Sequence, residues 1–352
     1  MNSNQNPTPF GRIFPPREDW LAKREAEAVI DPDLPIIDTH HHLWDRPENR
    51  YLLPEFLADT ETISNAGHNV VATVYMECGS MYRAEGPDEM RSVGEVEFAA
   101  GIAATSESGG YGLARVAAGI VGFADLRLGD GVGEVLAALA AAGGGRFRGV
   151  RHAAGWDDDP AIGNGHHAAG PGLYGEADFR AGLACLTAHG LSLDAWLYHP
   201  QLDDLVALAR ACPDANIIMN HTGGMLGYGV YKGRDDEGFA VLKAGLTELA
   251  TCPNVTMKVG GMMMRRASFD YFNQPAPPTS QELAELWRPN IETCIELFGP
   301  DRCMFESNFP VDKMGIGYRA LWNAFKHITA GASASERADL FAGTARRAYR
   351  LD

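Results

Sequence analysis

Along this chain, short apolar runs rich in β-branched residues recur, and most are followed by a longer segment with apolar residues at helical spacing. The short runs are Ile36–Asp38, Val70–Met76, Val116–Phe123, Phe147–Arg151, Leu191–Leu197, Asn216–Asn220, Asn254–Val259 and Cys303–Glu306. The longer patterns include Gly133–Ala142, Asp178–His189, Leu202–Cys212, Gly238–Cys252 and Ser280–Phe298. Ser280 reads as a hydroxyl cap ahead of carboxylates. Strands alternating with helices imply parallel βαβ units, and this many close most simply into an α/β (β/α)8 TIM barrel over residues 36–352. An open doubly wound sheet is the alternative, but no strand is followed by the Gly-rich phosphate turn of that architecture. Gly143–Gly145 and Gly260-Gly261 read as turns or strand exits, and no internal repeat is visible.

Residues 1–35 are Asn-, Pro- and charge-rich, with one helical stretch around Asp19–Val29. They carry Phe10, Phe14 and Trp20, apolar groups that a solvated tail does not need, so the arm is expected to dock on the barrel or on a neighbouring subunit of a homo-oligomer. The length of 352 residues suits one such barrel with an arm. A net charge of −16 argues against nucleic acid as a partner. No run is long and apolar enough for a bilayer, and the first residues lack a signal-peptide pattern. Six scattered cysteines without CxxC spacing read as reduced thiols, which with the foregoing gives a cytoplasmic expectation.

Barrel chemistry belongs at the C-terminal ends of the strands. The first strand runs Ile37-Asp38-Thr39-His40-His41-His42, and alternation turns His40 and His42 into the mouth together, with His41 away. Two such imidazoles can chelate one divalent ion, or can instead orient substrate through hydrogen bonds. The other exits carry Glu77, Arg151, Tyr198 and His199, Asn220 and His221, Lys258, and then Glu306 and Asn308, with Asp312 on the loop beyond. A lone His or Lys is usually structural, but so many at strand exits read as one active site. Glu95 and Glu97 at a helix start read as structural. The segment Met262–Asn273, which includes Arg265, reads as a substrate lid, a barrel cap or a subunit contact. Tyr82-Arg83 and the insertion Gly163–Gly175, with His166 and His167, are further loop candidates.

In these ordered motifs the sequence resembles the amidohydrolase superfamily, in the branch that holds pyrone-dicarboxylate lactonase and sugar lactonases of the fuconolactonase type. The resemblance rests on Ile37–His42, Phe147–His152, His199–Leu202, Asn220–Gly224 and Met304–Pro310. It implies the barrel fold and hydrolysis of a lactone or ester in a small carboxylate-bearing substrate. It also implies a divalent metal (Zn or Mn) at His40, His42, His199 and His221, or a metal-free variant of the same chemistry, with no organic cofactor. Arg151 would bind a substrate carboxylate through both arms, helped by Tyr198, Lys258, Glu77 and Arg265. His40, His42 and His221 would polarise the scissile carbonyl.

One departure stands out. The branch carries Gly-Ser-Asp-Trp-Pro at the eighth strand, whereas this chain has Glu306-Ser307-Asn308-Phe309-Pro310. An amide cannot take a proton from water, so Glu306, on the same face, is expected to replace the missing carboxylate, assisted by Asn308 or Asp312. Alternatively, Glu306 pairs with Lys258 or Arg151 as part of a charged barrel layer. Two further readings follow from the fold: a metal-dependent decarboxylase of an aromatic or related acid, and a non-catalytic barrel that binds a small acid.

Overall fold

A computed structural model describes residues 15–47, 49–61, 64, 67–165, 169–264 and 274–351. Its eight barrel strands are β1 (Ile36–His41), β2 (Val70–Met76), β3 (Arg115–Gly122), β4 (Phe147–Ala153), β5 (Ser192–Trp196), β6 (Asn216–Met219), β7 (Val255–Val259) and β8 (Cys303–Phe305). Each pairs in parallel with the next in chain order. The ring is completed between β8 and β1 by the segment after β8: Asn308 N donates to His40 O at 2.8 Å and His42 N to Phe309 O at 2.7 Å. A helix follows each strand, from Leu53–Thr60 after β1 to Tyr318–Ile328 after β8. The chain is a (β/α)8 barrel, as the alternation of runs requires.

Two apolar layers hold it. Ile37, Val74, Met76, Val121, Ile218 and Met304 fill the inside of the ring, and Tyr349 and Leu351 from the C-terminal segment pack against them. The larger layer lies between strands and helices and includes Val96, Leu136, Phe179, Leu205, Leu246, Trp287 and Phe325. Such burial, at about 25 cal/mol per Å² of apolar surface, makes the barrel a rigid frame for the groups at its mouth.

Two local expectations change. The long helix begins at Ser280, but its cap is Thr279: Glu282 N donates to Thr279 Oγ1 at 3.2 Å, and Thr279 N donates to the Glu282 carboxylate at 2.7 Å. Among the described residues of the arm, only Glu18–Leu21 is helical. The residues beyond spend their hydrogen bonds on the barrel: Arg24 donates to Pro277 O, Ser280 N to Glu27, and Lys326 to Ile30 O and Asp31 O. Trp20 is buried, with Nε1 donating to Gln274 O at 2.8 Å. Phe10 and Phe14 lie outside the described residues. None of the six cysteines is in a disulfide, and no helix among the described residues is long and apolar enough to cross a membrane.

Candidate active site

The site begins with an irregularity in β1. Pairing with β2 shifts register between Asp38 and His41. Ahead of that bulge, Ile37 faces the inner layer, while Asp38 faces the helices and accepts the Tyr318 hydroxyl at 3.0 Å. Strict alternation would carry Asp38, His40 and His42 to one face, whereas the bulge re-aims the strand. His40 and His42 meet inside, with ring centroids 4.9 Å apart, and His41 stacks on Phe56 in the outer layer. Burial raises the Asp38 carboxyl to about 6, despite the donors Ser307, His40 and Tyr318.

The inward imidazoles have their orientation set by acceptors. His42 Nδ1 lies 2.8 Å from Met76 O, so that nitrogen carries the proton. His40 Nδ1 lies 2.8 Å from Glu306 Oε2, and His221 Nδ1 lies 2.8 Å from Glu306 Oε1. The backbone N–H of His221 also donates to Glu306 Oε1, at 2.9 Å. Glu306, fully buried, is thus a carboxylate shared between two imidazoles. Burial first, and then the charge of Lys258 for His40 and of Arg151 for His42, pushes both rings well below the usual histidine range. They are neutral, with Nε2 as the lone-pair nitrogen.

Backbone conformation makes room for this cluster. His221 and Thr222 are left-handed, at φ 56° and 51°, and so is Asn308 at 54°. Such strain in non-glycine residues persists only where surrounding bonds over-determine it, and it gathers at functional sites. Thr222 Oγ1 bonds both Gly260 O and Gly260 N at 2.9 Å, which ties the exits of β6 and β7 together. A Cβ at Gly261 would stand 2.0 Å from His221 Nδ1, and one at Gly260 would stand 2.4 Å from Glu306 O. This glycine pair is a strand exit, as expected, and its lack of side chains is what lets His221 reach Glu306.

The remaining candidates divide. Arg151 is gripped by Glu77: Nε donates to Oε1 at 2.6 Å and Nη2 donates to the backbone oxygen, while Nη1 approaches His40 Nε2 at 3.3 Å. Lys258 lies 2.9 Å from Asp194 Oδ1, both fully buried, and Asp194 also accepts from Tyr349 at 2.7 Å and Asn220 at 2.9 Å. Glu306 therefore lies between the imidazoles of His40 and His221, while Lys258 goes to Asp194 and Arg151 to Glu77. Asn308 Nδ2 donates to Asp312 Oδ1 at 2.8 Å, and Met263 N donates to Asp312 Oδ2 at 3.1 Å. His199 Nδ1 accepts from Leu226 N at 3.1 Å and its ring packs on Tyr231. The Tyr198 hydroxyl donates to Gly163 O at 3.1 Å. Glu95 is structural in its contacts, accepting Cys78 N, Ser80 N and the Tyr75 hydroxyl on one oxygen. Arg265, His166 and His167 lie outside the described residues.

Sequence reading missed Asp194 and Tyr349. The signal was present in Asp194, a carboxylate inside an apolar strand run, which needs a buried partner.

The donor set fits a divalent cation. His40 Nε2 and His42 Nε2 face each other at 3.2 Å, both as lone pairs, a contact that calls for a proton or a cation between them. Two nitrogens at about 2.1 Å from one ion stand roughly this far apart. His40, His221 and Glu306 also bring donor atoms within 4.8 Å of one another. In that group the Nδ1 edges and the carboxylate are spent on one another, so the Nε2 edges are the better ligands.

The amidohydrolase family model matches residues 37–351. The uncharacterized protein y4mH of Sinorhizobium fredii is 33% identical over 341 residues, 91% of this chain and 99% of its own. An L-fucono-1,5-lactonase of Burkholderia multivorans is 27% identical over 90% of this chain and 96% of its own. A zinc-bound amidohydrolase structure from Burkholderia multivorans superposes with a TM-score of 0.67 at 23% identity, over 90% of this chain and 99% of that one, a likeness of fold.

Proposed function

The chain belongs to the amidohydrolase family, and from that premise we propose that it opens a lactone or ester of a small carboxylate-bearing substrate. The observation that carries this reading is the Glu306 carboxylate shared by His40 and His221. Hydrolysis of a lactone needs a base to take a proton from water, a positive group at the carbonyl oxygen, and an acid to return the proton to the departing alkoxide. A buried carboxylate on Nδ1 makes the far nitrogen of the ring the better base and stabilises the imidazolium that forms. In this reading His221 removes the proton from water as the oxygen–carbon bond forms, and returns it to the ring oxygen as the carbon–oxygen bond breaks. Glu306 acts through the two rings rather than on water itself. Asn308 and Asp312, bonded to each other, hold the exit of β8.

Arg151 supplies positive charge beside His40 through Nη1. The two-armed grip on a substrate carboxylate expected from the sequence is instead made with Glu77. A divalent ion, zinc or manganese, held by Nε2 of His40 and His42, would polarise the carbonyl. Lys258 lies below as the partner of Asp194, and Tyr198 supports the wall.

The test is acid release from a panel of sugar-acid lactones and pyrone dicarboxylates, followed by indicator dye, on protein stripped with chelator and then resupplied with Zn or Mn. Ring opening that His221→Ala lowers by about two orders of magnitude or more is expected. No hydrolysis of any lactone or ester, with carbon dioxide released from hydroxybenzoates, would overturn the proposal in favour of decarboxylation.

A further inference from the structure

The chain leaves β1 through a two-stranded hairpin, Trp44–Arg46 paired antiparallel with Asn49–Tyr51. Alternation turns Trp44 and Arg46 to one side and Asp45 to the other, and accordingly Trp44 is buried, Arg46 half-buried and Asp45 exposed. The hairpin belongs to the mouth of the barrel. Trp44 stacks on His42 with ring centroids 5.9 Å apart, and the Arg46 guanidinium carbon lies 4.5 Å from the Trp44 ring centroid. Arg46 Nη2 donates to Cys78 O at 2.9 Å, at the exit of β2 beside Glu77. From the other strand the Tyr51 hydroxyl donates to Asp59 at 2.7 Å, and Asp59 also holds Lys313, next to Asp312 on the loop after β8. Other cations at this end are matched with carboxylates: Arg151 with Glu77, Lys258 with Asp194, and Lys313 with Asp59 and Glu18. Among the described residues no carboxylate pairs with Arg46, whose contacts are a carbonyl and an aromatic face.

We propose, resting on the hydrolytic reading above, that Arg46 recognises the free carboxylate of the substrate, so that the lactones opened are those carrying a carboxylate outside the ring. One N–H of the guanidinium is spent on Cys78 O, and the remaining donors keep the fork that matches a carboxylate. The stack on Trp44 and the bond to Cys78 O fix the plane of the guanidinium before substrate arrives, so little freedom is lost on binding. A half-buried guanidinium with no counter-ion gains more from an incoming carboxylate than Arg151 does, because the two arms of Arg151 must first leave Glu77. One stack links Arg46 through Trp44 to His42, so a small substrate held by its carboxylate at Arg46 lies beside the imidazoles. The role is recognition: it acts on KM and leaves the chemical step to the imidazoles.

The test uses matched lactones on the full chain: pyrone dicarboxylate against unsubstituted pyrone, and glucarolactone against gluconolactone, the first of each pair carrying the free carboxylate. Wild type is expected to favour the carboxylate member of a pair by about tenfold or more in kcat/KM. Arg46→Gln erases that preference through KM, with kcat within about threefold and the neutral member unaffected. Arg46→Lys, which keeps the charge but not the fork, falls between. In parallel, calorimetric titration with isophthalate and with its neutral diamide reads recognition without turnover: wild type binds isophthalate about tenfold tighter, and Arg46→Gln binds the two alike. If wild type opens no lactone while isophthalate binding still depends on Arg46, the hydrolytic reading fails and the carboxylate site stands. If Arg46→Gln slows both members of a pair equally or leaves the preference intact, Arg46 only ties the hairpin to β2, and the proposal is overturned. Equal binding of isophthalate and its diamide by wild type overturns it as well. Should Arg46→Gln not fold, Arg46→Lys decides, since a preference and an isophthalate affinity equal to wild type would overturn the proposal.

Discussion

Replacing Glu306 by Gln changes one oxygen to NH2 and leaves the volume of the site almost untouched. The carboxylate now faces three donors: His221 N at 2.9 Å, and the Nδ1 atoms of His221 and His40 at 2.8 Å. An amide has one acceptor end. If that end stays with His221, its NH2 meets His40 Nδ1, and His40 must move its proton to Nε2. There the proton would face Arg151 Nη1 at 3.3 Å, a donor against a donor, and would occupy the 3.2 Å gap to His42 Nε2. If the amide turns round, the clash falls on His221, whose backbone N–H loses its acceptor as well. Either way one imidazole takes the wrong tautomer. A charge-assisted bond is worth about 1.5–3 kcal/mol, and a comparable tautomer error in a serine protease costs about 10⁴ in turnover. We therefore expect kcat on the lactone substrate to fall by about two to four orders of magnitude with a smaller change in KM. The assay pairs steady-state kinetics with imidazole nitrogen NMR, which reads the tautomer directly. Glu306→Asp, too short to span both rings, should fall between wild type and Glu306→Gln. If Glu306→Gln folds, keeps kcat within about threefold of wild type and shows unchanged imidazole shifts, the shared-carboxylate argument is wrong.

Gly261→Ala places a Cβ 2.0 Å from His221 Nδ1 at a left-handed position, so turnover should drop about a hundredfold or more, whereas Gly190→Ala, with equal backbone strain and open space, should cost about 1 kcal/mol and no activity. Equal kinetics in the two variants would refute the packing argument. Asn308→Asp sets a carboxylate oxygen where Nδ2 now bonds Asp312 Oδ1 at 2.8 Å, so it should destabilise the metal-free protein and tighten Zn or Mn binding about tenfold by titration; unchanged metal affinity would count against a cation at this end of the barrel. Burial first, and then the charge of Glu77, raises the Glu95 carboxyl from its ordinary 4.5 to about 7. Between those values the folded state holds the proton that the unfolded state has lost, so stability falls by about 3 kcal/mol as pH rises from 4.5 to 7 and levels off above. Glu95→Gln keeps the one oxygen that accepts Tyr75, Cys78 and Ser80 and should flatten this decline in unfolding temperature; parallel curves for the two proteins would exclude Glu95 as its source.

The alternation of runs determined the barrel, because each run needs only its own residues to show a buried face, and all eight strands appear where the pattern places them. The gathering of His40, His42, His221 and Glu306 at the strand exits was legible as a pattern of residues there. So was the inward pairing of His40 and His42, although the bulge that secures it was not, since it depends on how β1 meets β2. What only tertiary structure decided is who holds whom. From the sequence Glu306 reads as the replacement base or, alternatively, as the partner of Lys258 or Arg151. Ring closure instead set it between His40 and His221, while Glu77 and Asp194 took the two cations. His199 and Tyr198, next to each other after β5, spend their polar atoms on Leu226 and Gly163. Periodicity is a property of neighbours along the chain, so sequence carries it. Ion pairing in a buried layer is set by distances of a few ångströms between strands that are far apart in sequence, and those distances exist only once the ring has closed.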